Sequence, residues 1–82
     1  YPAMRLVIIT PEATLCDQEV ERVFVPGKQG SFEILKGHAP LISLLVKGTV
    51  SYGMMAGALS QVEVGGGFVK VEKDTVTICV AR

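Results

Sequence analysis

A two-residue hydrophobic rhythm, broken at short intervals by glycine and proline, constrains this chain most. In "MRLVIIT" (4–10), Met4, Leu6 and Ile8 fall on one side of an extended chain, and Arg5, Val7 and Ile9 on the other. Successive side chains of a strand point to opposite faces, so the stretch reads as a strand with apolar residues on both sides. The rhythm returns in "SFEIL" (31–35), "LSQVEV" (59–64), "FVKVE" (68–72) and "TVTICVA" (75–81). No window of the chain carries a convincing helical stripe, and Val, Ile and Thr are frequent, which suits pleated surfaces.

The interruptions divide the chain into short pieces. Thr10-Pro11-Glu12 ends the first strand, and Gln18-Glu19 turns the chain after "ATLCD" (13–17). In "VERVFV" (20–25), Val20 and Phe24 share a face with Arg22, and Val23 and Val25 take the other. "PGKQG" (26–30) and "KGHAP" (36–40) read as turns, Lys47-Gly48 closes "LISLLV" (41–46), and "AGA" (56–58) reads as a hairpin tip. Gly65-Gly66-Gly67 and Lys73-Asp74 separate the last strands. Regular short strands with such turns mean a sandwich or barrel. The prediction is all-β: a two-sheet antiparallel β-sandwich of about ten short strands, forming one domain over residues 1–82. Met4 reads as the natural start, with residues 1–3 as additions before it. Val23, Phe32, Ile34, Val62, Val69, Val71, Val76 and Ile78 are the expected core, and Tyr52, Met54 and Met55 are read as a further core cluster.

Composition excludes several functions. Eight basic residues balance eight acidic ones, so the charge excess of a nucleic-acid binder is missing. The apolar runs "LVII" and "LISLLV" fall far short of the ~20 residues of a membrane-spanning helix, so no direct insertion is expected. Cys16 and Cys79 lie in strand-like contexts with no CxxC, and they read as reduced, buried small hydrophobes.

His38, in "GHAPL", is the only histidine. Ser43 and Glu33 are near in sequence, but no nucleophile context surrounds them. Zinc wants three or four ligands, which one histidine and scattered carboxylates do not supply. His38 therefore reads as a turn residue whose imidazole bonds nearby backbone, or as part of a partner surface. The triple glycine at 65–67 leads into a strand, whereas a phosphate cradle leads into a helix N-terminus. It reads instead as a bulge or a close approach of another backbone. No catalytic residue, metal site or cofactor is expected. The residues alone describe a small β-sandwich that works by binding.

Two stretches carry a resemblance: "LVIITPEATLCDQEVERVFVPGKQGSFEILKGHAPLISLLVKG" and "VGGGFVKVEKDTVTICV". They resemble the N-terminal β-sandwich domain of the epsilon subunit of bacterial F-type ATP synthases. The family's apolar strand running into Thr-Pro-Glu is matched by Thr10, Pro11 and Glu12, and its Pro-Gly turn by Pro26 and Gly27. Its Gly-His-Ala-Pro-Leu is matched by Gly37 to Leu41. The chain departs from the family at Ser31, where an acidic residue is frequent, at Glu33 for Gly and at Lys36 for Pro. It departs again at Gly65 for Ser and at Lys70, which is often Glu.

The resemblance implies a non-catalytic rotor subunit in the central stalk, binding the gamma subunit and the c-ring and coupling proton-driven rotation to ATP synthesis. It implies a peripheral place on the cytoplasmic face of the bacterial inner membrane. Many members continue into a C-terminal helical hairpin that binds ATP or inhibits the motor. This chain stops at Arg82, so that hairpin is expected to be absent. Lys28, Gly30, Ser31, Gly37, His38, Ala39, Pro40 and Leu41 are the implied c-ring contacts, Thr10 and Ser43 the implied gamma contacts, and Asp74 a distant surface position. The alternative from another class is a lipoyl- or biotinyl-carrier-like domain. It needs a lysine at a hairpin tip, and "GMMAGA" has none.

Overall fold

A computed structural model describes residues 3–81 of the protein. Tyr1, Pro2 and Arg82 lie outside the described residues, and so does most of the segment read as preceding the start. Among the described residues seven strands form: β1 (Met4–Ile9), β2 (Thr14–Val20), β3 (Arg22–Val25), β4 (Phe32–Leu35), β5 (Leu41–Gly53), β6 (Ser60–Glu72) and β7 (Thr75–Val80). The all-β class stands, with seven strands where about ten were expected.

The count falls because three expected breaks do not interrupt the ladder. Gln18 and Glu19 lie inside β2, opposite Leu6 and Arg5. Lys47 and Gly48 lie inside β5, opposite Gly65 and Val64, and Gly65-Gly66-Gly67 lie inside β6. Each strand supplies the backbone partners that keep the other extended, and paired hydrogen bonds outweigh the weak local preference of glycine for turns.

Thirteen residues of straight strand would reach about 43 Å. The molecule's longest extent is 30 Å. β5 and β6 therefore bend, and the pairings show where. β7 pairs only with the 67–72 half of β6, and β3 only with the 51–53 end of β5. The hydrogen-bonded order β2-β1-β7-β6-β5-β3-β4 thus folds over at the glycines into two layers that share two strands. One pair departs from the antiparallel expectation: β1 runs parallel to β7, from Arg5↔Thr75 to Ile9↔Cys79. Every strand between them serves as the long crossover that parallel pairing requires.

The core lies between the layers. Leu6, Ile8, Val69, Val76 and Ile78 from one layer meet Val23, Val25, Ile34 and Val50 from the other, all almost wholly buried. Full burial of each such side chain is worth about 1.5–3 kcal/mol. Phe32 and Val62 are only partly buried and pack against this cluster. Met54 is an exception to the expected core at 48% exposure, because β5 ends at Gly53 and the alternation ends with it. Val20 and Val23 are both buried. Glu21, whose N–H bonds the Gly53 carbonyl, sits at the bend that shifts the phase between β2 and β3.

At Gly67 the close approach of another backbone is real: a side chain there would collide with the Cys79 carbonyl. Cys16 lies opposite Ile8 and Cys79 opposite Ile9, so the two thiols face opposite sides of the sheet, and both are free. Burial pushes the Cys16 thiol above its ordinary value; a hydrogen bond with Tyr52 pulls it down and the Asp17 charge pushes it up.

Candidate partner-binding surface

Three exposed features carry the residues singled out in the sequence. The first is the 26–31 loop. Pro26 accepts from the Val46 N–H and Lys28 donates to the Leu44 carbonyl, both at 2.9 Å, so the loop is fastened to β5. Gly27 is buried beneath it, where a Cβ would lie 2.6 Å from the Gly30 oxygen and 2.9 Å from the Phe32 ring. Gly30 closes the loop at φ +126°, a region that favours glycine. Lys28, Gln29, Gly30 and Ser31 are left exposed. Gly30, Ser31, Phe32, Leu41 and Ser43 line one open groove.

The second feature is the 36–40 turn. Gly37 has φ +85°. His38 donates its N–H to the Leu35 carbonyl at 3.1 Å, and its Nδ1 meets the Ala39 carbonyl at 2.8 Å. A carbonyl only accepts, so Nδ1 carries the proton, and the imidazole serves the turn. The Gly37 N–H donates to Asp74 Oδ1 at 2.9 Å. Asp74, expected to be distant from this turn, touches it: the β6–β7 hairpin brings residue 74 beside residue 37.

The third feature was not singled out in the sequence. Ile42, Leu44 and Val46 alternate on the outer face of β5, with Phe68 opposite Leu44, and they are 72%, 57%, 43% and 42% exposed. The signal was present in "LISLLV", where Ile42, Leu44 and Val46 fall on one side of the strand; an apolar run alone does not say which side is covered. Thr10 borders this patch in a groove with Ile9, Pro11, Phe68 and Cys79. Its hydroxyl is already committed to its own turn, accepting from the Glu12 and Ala13 N–H groups. The structure therefore places Ser43 with Gly30 and Ser31, and Thr10 in a separate groove.

Charge contributes little to these features. Arg22 pairs with Glu33 at 2.7 Å and lies 4.8 Å from the centre of the Phe24 ring, so the unusual Glu33 has a local partner on the second layer's outer face. Arg5–Asp17 is a solvent-exposed pair of the kind worth little. Among the described residues no group of three or more His, Cys, Asp or Glu is placed to hold a metal ion. No helix among them is long and apolar enough to cross a membrane.

The family described as "ATP synthase, Delta/Epsilon chain, beta-sandwich domain" matches residues 3–82. The ATP synthase epsilon chain of Sulfurovum sp. is 36% identical over 77 residues, covering 94% of this chain and 60% of that protein. Those of Solibacter usitatus and Symbiobacterium thermophilum are 41% and 43% identical over 92% of this chain, and 55% and 54% of their own lengths are covered. The chain thus spans little more than half the length of these curated relatives. The fold is shared with a chain of the Euglena gracilis mitochondrial ATP synthase OSCP/F1/c-ring structure, with a TM-score of 0.89, 21% identity and coverage of 99% of this chain and 52% of that one. It is also shared with a chain of the Tetrahymena thermophila mitochondrial ATP synthase central stalk/c-ring structure, with a TM-score of 0.81, 19% identity and coverage of 96% and 63%.

Proposed function

From its membership of the ATP synthase delta/epsilon β-sandwich family, to which this chain belongs, we propose that it is a non-catalytic binding domain of the rotor. It sits in the central stalk on the cytoplasmic face of the bacterial inner membrane, held by the gamma subunit and in contact with the c-ring. One observation carries the binding role: Ile42, Leu44, Val46 and Phe68 form an apolar patch left in solvent on a rigid sheet. Contiguous exposed apolar side chains mark association surfaces. Gamma covers this patch, with Thr10 at its border and Ser43 on the neighbouring edge. The 28–31 loop and the 37–41 turn face the c-ring.

The construction suits transmission of torque. The two layers share β5 and β6, so covalent strands, and not side-chain packing alone, resist sliding of one layer over the other. Zero net charge assigns the contact to shape and apolar area, so association should fall only mildly with salt.

Co-purification of the full-length chain with gamma tests the reading. Retention of gamma by the native chain, and its loss on Leu44→Glu, is expected. Equal retention by both would reject the patch as the gamma site.

A further inference from the structure

We propose that Asp74 is the positioning residue of the 36–40 turn: its carboxylate holds Gly37, and through it His38, in the geometry that meets the partner. The proposal rests on reading this turn as a c-ring contact.

Asp74 is 37 residues away from Gly37 in sequence, yet its Oδ1 accepts the Gly37 N–H at 2.9 Å. The carboxylate is itself anchored. Lys73 and Asp74 form the two-residue link between β6 and β7 with φ of +50° and +60°. Tight hairpins need such mirror-image values, and aspartate tolerates them better than most residues. The Asp74 carbonyl accepts the Arg5 N–H at 3.0 Å, which pins the link to β1. One end of the strut is thus fixed to the first layer.

The other end needs fixing. Gly37 lacks the Cβ that restricts other residues, and φ +85° is one of many values open to it. Proline at 36 would lock its own φ; Lys36 does not. The remaining restraints on the turn are local: His38 N–H to Leu35, and the His38 ring to Ala39. Neither reaches the other layer. The turn runs into Leu41, already paired with Val71 of β6, and the charge-assisted Asp74 bond at 2.9 Å adds a second tie that holds Gly37 itself to the β6–β7 hairpin. It lies near solvent, so its loss shifts the population of turn conformers without unfolding the domain.

The test uses the full-length chain. Asp74→Gly keeps the left-handed dihedrals and removes the acceptor; Asp74→Asn keeps an acceptor oxygen. Hydrogen exchange of the Gly37 amide should quicken at least about tenfold in Asp74→Gly and stay within about threefold of native in Asp74→Asn, with little change in Tm for either. In the assembled ATP synthase, lacking Cys16 and Cys79, His38→Cys should crosslink to a c-ring loop. The yield should fall severalfold with Asp74→Gly and recover with Asp74→Asn. Unchanged Gly37 exchange overturns the strut. Faster exchange with undiminished crosslinking overturns the positioning role. No crosslink with Asp74 in place rejects the c-ring reading and the positioning role with it, while the exchange rates still decide whether the strut exists.

Discussion

Leu44 and Phe68 face each other across β5 and β6, and both leave their side chains in solvent. Leu44 gives its carbonyl to the Lys28 N–H, on the side away from β6. That places the pair at a position where opposite side chains approach most closely. An apolar cross-strand pair kept at the surface gains little from the fold itself and much from being covered.

Putting a charge into this pair should therefore separate binding from stability. Leu44→Glu or Phe68→Glu should weaken association with gamma at least about tenfold, or ~1.4 kcal/mol. Folding stability should move by no more than about 0.5 kcal/mol, as for ordinary surface changes. Titration calorimetry and urea unfolding on the same variants check both. A variant that binds normally, or that loses several times that stability, would refute the assignment.

The core should respond in graded fashion. Ile78→Ala removes a wholly buried side chain between the layers and should cost about 2–5 kcal/mol. Val62 is only partly buried, so Val62→Ala should cost clearly less than Val69→Ala. Urea midpoints at constant m-value read the order.

Gly67 should tolerate no side chain. Its φ is +146°, and a Cβ would run into the Cys79 carbonyl of the neighbouring strand. Gly67→Ala should destabilise by more than about 1 kcal/mol. Gly57→Ala, at φ +98° but with nothing near the new Cβ, should cost less. Thermal unfolding of the two variants gives the comparison.

Acid should loosen the β5–β6 loop first. The Met55 N–H, which donates to Glu21 Oε1 at 2.7 Å, is the main reason this carboxylate lies below its ordinary value of 4.5. A depressed carboxylate contributes stability above its unfolded value and loses it as pH falls through the lower folded value. Exchange at the Met55 amide should therefore quicken relative to the rest of the domain below about pH 4.5. Glu21→Gln should remove that pH dependence. A loop whose protection is equally pH-dependent in Glu21→Gln would exclude Glu21 as its cause.

The sequence by itself determined the class of this protein, six of the eight side chains expected in its core and the turn-forming role of His38. Period-2 burial is a local property: Leu6, Ile8, Val76 and Ile78 alternate because a strand alternates, whatever it pairs with. The ordered family motifs, from Thr10-Pro11-Glu12 to Gly37–Leu41, likewise survive as sequence. Tertiary structure alone decided that Lys47-Gly48 and Gly65-Gly66-Gly67 bend strands without ending them, because only a paired neighbour keeps glycine extended. It also decided which face of "LISLLV" stays in solvent: Ile42, Leu44 and Val46 are exposed although the opposite face carries the polar Ser43, because coverage depends on distant strands. The contact between Asp74 and Gly37 belongs there too: no local rule relates residues 37 positions apart until the hairpin and the turn arrive at the same edge.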